Sequence, residues 1–355
     1  DFRDYEAIEE RTGERVPYNE KKVSVDFEVH VDPENDVAKV VLGDQEEILN
    51  VGEFSDWVEI EFTMVPSLVS VSGIARFYLK QAHPEFELYV SPIQINPADQ
   101  VLPITDPPEY GKEIVEACGH FYTQNMPEDT KALEHGVFGN EEFTKQSGIV
   151  FDERLRSYEW CLDNFDEGLL YFYFGSLDQS SHAMWRCMDP AHPAYDPRED
   201  AEFADYLENL YEKFDAVLAR TMEEVDENTT LIVLSDHGFA PWYREFHLNR
   251  WLHDEGYLVL KDGVRPSNVE WLMGVDWSRT RAYGLGINGL YLNLKGREKN
   301  GIARPGAEAE ELIDEIAAKL ESYRDPKNDK RVIIKAYKAR ETYRGPHTEN
   351  APDIV

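Results

Sequence analysis

Residues 169–182 read LLYFYFGSLDQSSH, and residues 230–238 read TLIVLSDHG. In both stretches a short apolar run is followed closely by an aspartate and a histidine. Apolar runs of this length, rich in β-branched and aromatic residues, are typical of buried strands. We therefore predict strands at Leu169–Phe174 and Thr230–Leu234, each followed by a loop that carries polar side chains.

A helix is predicted between the two strands. Apolar residues recur at spacings of three and four throughout Glu199–Met222, which is the pattern of an amphipathic helix. A strand, a helix and a second strand form a β-α-β unit, whose strands are parallel and whose crossover is right-handed in nearly all known cases. Both polar segments then lie at one edge of the sheet, where open α/β sheets bind their ligands.

The remaining sequence divides into two regions that differ in their pattern of apolar residues. Residues 1–98 contain short alternating runs, which predict an antiparallel β module. These runs are Val23–Val31, Val37–Leu42, Val58–Phe62, Val69–Leu79 and Phe86–Ile95. After the proline-rich stretch 96–108, helical patterns alternate with short apolar strands, including a helix at Ala307–Leu320 and a strand at Val332–Tyr337. Residues 99–355 are therefore predicted to form an α/β layer domain.

Composition excludes several classes of partner. The chain of 355 residues has 70 acidic and 36 basic residues, a formal charge of −34 that repels duplex nucleic acid and anionic membranes. No stretch has the length and apolar character of a membrane span or a signal core. Cys118, Cys161 and Cys187 match no disulfide, zinc or redox spacing, which favours a reducing, cytoplasmic location. The oligomeric state is left open.

The four charged or ionisable residues after the two strands are candidate metal ligands. Asp178 and His182 are four residues apart, so they share one face if a helix begins there, and they suit one ion. Asp236 and His237 are adjacent and suit a second ion if the chain turns sharply, which Gly238 permits. Carboxylate and imidazole ligands favour zinc or manganese. Such pairs also serve as helix caps, but two of them flanking one crossover favour a two-metal site.

These segments resemble the alkaline phosphatase superfamily, in its type I phosphodiesterase/nucleotide pyrophosphatase branch. The patterns Ser235-Asp236-His237-Gly238 and Asp178-x-x-x-His182 carry the resemblance from about residue 99 to the end. Further stretches support it, namely 247–252, 276–283, 296–298 and 351–353. The resemblance implies a mostly parallel sheet with helices on both faces, into which the β module is inserted.

The same resemblance implies a function. Asp178 and His182 would bind one metal, Asp236 and His237 the other, and the activity would be hydrolysis of a small-molecule phosphate ester, most closely a phosphodiester or nucleotide-type substrate. It also implies a first aspartate ligand and a threonine or serine nucleophile before residue 1, and a last histidine ligand after residue 355. The nucleophile is therefore expected outside this chain, whose two ends are interpreted as cut.

Two other functions are alternatives to phosphate-ester hydrolysis. A phosphomutase would use the same site, whereas a non-catalytic scaffold would bind a partner through the β module and hold no metal.

Residues 284–289 read GLGING, which matches a dinucleotide-binding fingerprint. The residues that follow alternate like a strand instead of opening a helix, and Asn288-Gly289 is a favoured hairpin turn. We therefore predict a hairpin over Arg281–Leu294.

Overall fold

The computed structural model describes residues 23–65, 68–124, 126–268 and 271–355. The chain forms two compact units, the first ending at Pro241 and the second comprising Trp242–Val355. The predicted boundary at residue 98 lies within the first unit, at the point where strands give way to helices. The division into domains at that residue stays a prediction.

The first unit begins with an antiparallel β module, as the sequence predicts. Its strands pair in the orders β1-β2-β3, β4-β5-β8 and β6-β7, and every pairing is antiparallel. The strands are β1 (Glu28–Asp32), β2 (Val37–Leu42), β3 (Gln45–Asn50), β4 (Val58–Val65), β5 (Val69–Ala75), β6 (Phe77–Gln81), β7 (Glu87–Val90) and β8 (Gln94–Ile95). The sequence did not predict β3, and β1 begins at Glu28 instead of Val23.

Side-chain alternation explains the core of the β module. In β2, Ala38, Val40 and Leu42 are buried while the residues between them are partly exposed. Ala38 and Val40 pack with Phe77 and Leu79 of β6 in one apolar cluster. The period of two along the strand thus places one face in the core, which is the arrangement that the sequence pattern predicts.

Helices follow the β module in the first unit. They are α1 (Tyr110–Cys118), α2 (Thr130–Glu134), α3 (Asn140–Asp163), α4 (Ser176–Met188) and α5 (Tyr206–Glu224). The predicted helix Glu199–Met222 corresponds to α5, which is preceded by a short 3₁₀ turn at Ala201–Phe203. Helix α5 buries Leu207, Leu210 and Val217. Their spacing of three and seven residues is the apolar stripe on which the prediction rested.

The predicted strands Leu169–Phe174 and Thr230–Leu234 are not strands in the structure. Neither segment takes part in a hydrogen-bonded ladder, so the parallel β-α-β crossover is not observed among the described residues. Leu169 is 90% exposed and Leu234 is 69% exposed. An apolar run becomes a strand only when a neighbouring backbone pairs with it, and no described strand does so here. The fold is mixed α/β, as predicted, but the described part of the chain contains no mostly parallel sheet.

The second unit packs helices against a hairpin. Its helices are α6 (Leu248–Asp254), α7 (Ala307–Ser322) and α8 (Ala339–Thr342), and its strands β9 (Ala282–Leu285) and β10 (Gly289–Leu292) pair antiparallel. The predicted hairpin is therefore confirmed, and no dinucleotide-binding helix follows the glycines. The pairing of Leu285 with Gly289 gives a three-residue loop that starts at Gly286, with φ 77°. The predicted two-residue turn at Asn288-Gly289 is therefore wrong.

Two further predictions concern the end of the chain. Helix α7 confirms the predicted helix Ala307–Leu320. The predicted strand Val332–Tyr337 is wrong, since Ile334 is 81% exposed and the segment forms no ladder. Its backbone bonds to other backbone groups only at its two ends, where the Val332 N–H donates to the Tyr323 carbonyl oxygen at 3.4 Å and Tyr337 exchanges two hydrogen bonds of 2.8 Å with Val355. Among the helices that the structure describes, none is long and apolar enough to cross a membrane.

Candidate metal centre

Helix α4 begins at Ser176, two residues after the end of the segment Leu169–Phe174. This start determines how Asp178 and His182 are placed relative to each other. Asp178 lies in the first turn of the helix and His182 lies one turn later on the same face. The His182 Nε2 atom is 3.4 Å from Asp178 Oδ1. The four-residue spacing therefore brings both side chains together on one helix face, as the sequence predicts.

His237 approaches the same carboxylate from a loop. Its Nε2 atom lies 3.5 Å from Asp178 Oδ1. Its Nδ1 atom lies 3.1 Å from the Gly238 carbonyl oxygen. Because a carbonyl oxygen only accepts hydrogen bonds, this contact places a proton on Nδ1, and Nε2 is the ring nitrogen that faces Asp178. An imidazole that binds a metal through Nε2 likewise donates its Nδ1 hydrogen to a carbonyl or carboxylate oxygen.

The loop that carries His237 is held by its own polar groups. The Ser235 hydroxyl donates to the His237 carbonyl oxygen at 3.0 Å, and the His237 backbone N–H donates to Asp236 Oδ1 at 3.1 Å. The Phe239 ring then packs edge-on against both imidazoles, with centroid distances of 4.8 Å to His182 and 5.3 Å to His237. The sequence did not indicate this role of Phe239.

The two carboxylate oxygens of Asp178 differ in their surroundings. Oδ2 accepts a hydrogen bond of 2.9 Å from the Gln179 side-chain amide. Oδ1 is buried and has no hydrogen-bond partner, although the two imidazole Nε2 atoms lie close to it. Ligand atoms of Asp178, His182 and His237 all lie within 4.8 Å of one another. A buried, unbonded oxygen facing two imidazole nitrogens fits a divalent metal ion.

Asp236 stands at the edge of this group. Its side chain is 83% exposed, and its Oδ2 atom is 3.7 Å from His237 Nε2. The structure therefore brings together Asp178, His182 and His237, with Asp236 beside them. The prediction from the sequence instead assigned His237 to one ion together with Asp236 and assigned Asp178 to the other ion. The role of each of the four residues as a metal ligand stays a prediction.

A cavity of about 950 Å³ opens beside these residues. Its walls include Glu128, Arg154, Tyr173 and Ser176. Arg154 places a positive charge in a chain of net charge −34, so the cavity can accept an anionic group despite the overall repulsion. The sequence did not single out any of these four wall residues as functional.

Glu128 is the most unusual of the wall residues. Its side chain is 1% exposed, and burial raises the pKa of its carboxyl group, an effect that nearby Ser176 and Arg154 only partly oppose. Neither carboxyl oxygen has a partner in hydrogen-bond geometry. No local sequence signal reveals this, because Glu128 lies in an ordinary polar stretch between Pro127 and Asp129.

Comparison with protein family models identifies the family of the chain. A model of the family "Type I phosphodiesterase / nucleotide pyrophosphatase" matches residues 138–355, which include Asp178, His182, Asp236 and His237. The chain belongs to this family. The type I phosphodiesterase / nucleotide pyrophosphatase family is part of the alkaline phosphatase superfamily, so the resemblance seen in the motifs is confirmed.

Membership of this family indicates the general class of reaction. Type I phosphodiesterases and nucleotide pyrophosphatases are phosphoric ester hydrolases and are typically metal-dependent, in agreement with the three converging residues that could hold a metal ion. Neither the comparison with curated proteins nor the comparison with solved structures gives a match.

Proposed function

We propose that this chain provides the metal centre for hydrolysis of a small-molecule phosphate ester, most closely a phosphodiester or nucleotide-type substrate. One observation carries the proposal. Asp178 Oδ1 is buried without a hydrogen bond, 3.4 Å from His182 Nε2 and 3.5 Å from His237 Nε2. A buried carboxylate oxygen without a partner costs free energy unless something compensates its charge.

Two divalent ions, zinc or manganese, are proposed for the site, with Asp178, His182, Asp236 and His237 as protein ligands. The donors present are of the type that these ions take. Bound there, such ions would polarise phosphoryl oxygens and stabilise the charge that develops on them during displacement at phosphorus. We propose further that the surrounding sheet is mostly parallel, which the family membership supports.

The protein side chains then have separate tasks. The Gln179 amide fixes Asp178 through Oδ2 and leaves Oδ1 directed at the two imidazoles. The Gly238 carbonyl fixes the tautomer of His237, and Phe239 limits rotation of both rings. Arg154 attracts the anionic phosphoryl group into the cavity. These contacts preorganise the ligands, which lowers the reorganisation needed when substrate binds.

The proposal is tested by metal analysis and hydrolysis measured on the same preparation. After chelation and dialysis, the full-length protein is reloaded with manganese or zinc, its metal content is determined by elemental analysis, and release of p-nitrophenol from bis(p-nitrophenyl) phosphate is followed. We expect about two ions per chain and hydrolysis that depends on them. A preparation that retains no stoichiometric metal after reloading contradicts the proposed function and supports a non-catalytic scaffold instead.

A further inference from the structure

Among the described residues of the first unit, two glutamates are almost completely buried, and only one of them has hydrogen-bond partners for its carboxylate. Glu153 is 3% exposed and receives hydrogen bonds from Arg76 Nη2 at 2.7 Å and from Trp57 Nε1 at 2.9 Å. Glu128 is 1% exposed, and both of its carboxyl oxygens lack a hydrogen-bond partner. Native proteins rarely leave such groups unsatisfied, so an unpaired buried carboxyl calls for a functional explanation.

The backbone holds Glu128 in this position. The fully buried side chain of Gln146 accepts a hydrogen bond from the Asp129 backbone N–H at 2.7 Å and donates one to the Pro127 carbonyl oxygen at 3.1 Å. The Tyr89 hydroxyl donates to Asp129 Oδ2 at 2.7 Å. Residues on both sides of Glu128 are therefore fixed, and its side chain is held at the cavity wall. Three contacts thus maintain a placement that is unfavourable for the carboxyl group itself.

Glu128 shares the cavity with the metal centre but is separate from the three converging ligands. It lines the same cavity as Asp178, His182 and His237. The ligand atoms that lie within 4.8 Å of one another belong to those three residues and not to Glu128. Glu128 also lies outside residues 138–355, the part of the chain that the family model matches. Glu128 is therefore a residue of the cavity wall that does not belong to the group of candidate ligands.

We propose that Glu128 determines substrate specificity by binding a hydroxyl or amino group on the organic part of the phosphate ester. This inference rests on the proposed function, since it names the class of ester that the same site takes. A buried acceptor gains a hydrogen bond from a ligand that carries a donor, and it remains unpaired when the ligand carries none. Sites of this kind reject analogues that lack the donor far more strongly than apolar pockets do.

Arg154 and Ser176 complete the proposed subsite. Both line the same cavity as Glu128. The Ser176 hydroxyl is also buried and without a hydrogen-bond partner. A ligand with a phosphoryl group toward Arg154 and the metal centre and a hydroxyl toward Glu128 and Ser176 would satisfy these groups together. The ligand class is therefore a phosphate ester of a polyol, a sugar or a nucleoside.

The test compares two phosphonates that resist hydrolysis and differ only in their hydroxyl groups. Dissociation constants of 3,4-dihydroxybutylphosphonate and butylphosphonate are measured by calorimetry on the manganese-loaded chain. We expect the dihydroxy compound to bind at least about tenfold more tightly. The Glu128→Met variant, which has a side chain of similar length without acceptor oxygens, should bind both compounds within about twofold of each other.

Matched variants separate recognition from folding. Glu159→Met makes the same substitution at an exposed position of α3 outside the cavity and should keep the wild-type preference. Glu128→Gln keeps one acceptor oxygen and should retain most of the preference. The melting temperature of Glu128→Met should equal or exceed that of the wild type, because an unpaired buried carboxyl is removed. A clearly lower melting temperature would instead assign Glu128 a structural role and contradict the proposal.

The outcomes for Glu128 and for the proposed function are independent. Equal binding of the two phosphonates by the wild type overturns the role of Glu128, even if bis(p-nitrophenyl) phosphate is hydrolysed. An unchanged preference in Glu128→Met overturns it as well. If the wild type prefers the dihydroxy compound, loses that preference in Glu128→Met and hydrolyses no phosphate ester, the proposed function fails while the recognition role of Glu128 stands.

Discussion

Asp178 Oδ1 lies 3.5 Å from Nε2 of His237, although one residue belongs to helix α4 and the other to a distant loop of the same unit. This contact joins the two sequence motifs into one candidate site. It also places a single carboxylate oxygen between two imidazoles, so Asp178 is the residue whose change should affect the site most.

Substitution of Asp178 should therefore remove both metal and activity. Asp178→Asn preserves the shape of the side chain but removes its negative charge, which a bound cation requires. We expect the metal content to fall and hydrolysis of bis(p-nitrophenyl) phosphate to decrease at least about 100-fold, the upper end of what changes in outer-shell partners cause. Elemental analysis and initial rates measure the two effects. Asp152→Asn, at an exposed position of α3, is the matched control, and an Asp178→Asn protein with wild-type metal content and rate would contradict the assignment.

Substitution of Asp236 should remove only one of the two proposed metal ions. The group formed by Asp178, His182 and His237 does not include Asp236, which is 83% exposed. We expect Asp236→Ala to retain about one ion per chain of the two proposed and to lose hydrolysis, because the second ion is needed to stabilise charge on the reacting oxygens. Metal titration with rate measurement on each preparation checks this.

The control for Asp236→Ala is Asp215→Ala, which removes an exposed carboxylate from helix α5. It should keep both ions and the full rate. If Asp236→Ala behaves like this control, Asp236 has no part in the metal centre, and the adjacent pair of the second motif contributes only His237.

The buried pair of Arg76 and Glu153 predicts a large loss of stability. Glu153 lies on helix α3 and Arg76 lies between strands β5 and β6, so their ion pair of 2.7 Å joins the β module to the helices. Glu153→Leu leaves the Arg76 guanidinium buried without its carboxylate, which costs about 3–5 kcal/mol in comparable cases. Urea unfolding followed by circular dichroism measures the change. Glu159→Leu, at an exposed position of the same helix, should change the free energy of unfolding by less than about 0.5 kcal/mol.

The sequence correctly predicted features that depend on the spacing of residues within one helix or strand. The four-residue spacing of Asp178 and His182 determines their contact once a helix starts at Ser176. The alternation in Val37–Leu42 likewise determines which face of β2 is buried. In both cases the periodicity of the element itself sets the geometry.

Features that depend on distant partners were not predictable in the same way. The apolar runs Leu169–Phe174 and Thr230–Leu234 have strand-like sequences, but no described strand pairs with them. Glu128 is buried, and Gln146 and Tyr89, far away in the sequence, bind the residues on either side of it. Sequence spacing carries no information on such contacts, and so the grouping of His237 with Asp178 instead of Asp236 also emerged only from the structure.

Asp200 should make the packing of helix α4 sensitive to acid. Its carboxylate is 1% exposed, pairs with Arg186 of α4 at 3.2 Å and accepts hydrogen bonds from Asn140 at 2.8 Å and from the Asp196 backbone N–H at 2.8 Å. Burial acts to raise its pKa, but these bonds and Arg186 outweigh burial and lower the pKa below the ordinary value of 3.8. An aspartate with a lowered pKa in the folded state stabilises the protein above its unfolded pKa, and this stabilisation is lost as the pH falls through the folded value.

The Asp200→Asn variant measures that contribution directly. At pH 7 it should lower the free energy of unfolding by about 1.5–3 kcal/mol, the range for hydrogen bonds to a charged group. Because asparagine does not titrate, the difference from the wild type should be constant from pH 7 to about pH 5 and should shrink below about pH 4. Urea unfolding at a series of pH values gives this difference, and Asp215→Asn, an exposed change on α5, should show almost none. A difference that stays constant down to pH 3 would mean that Asp200 acts through shape and hydrogen bonding and not through its charge.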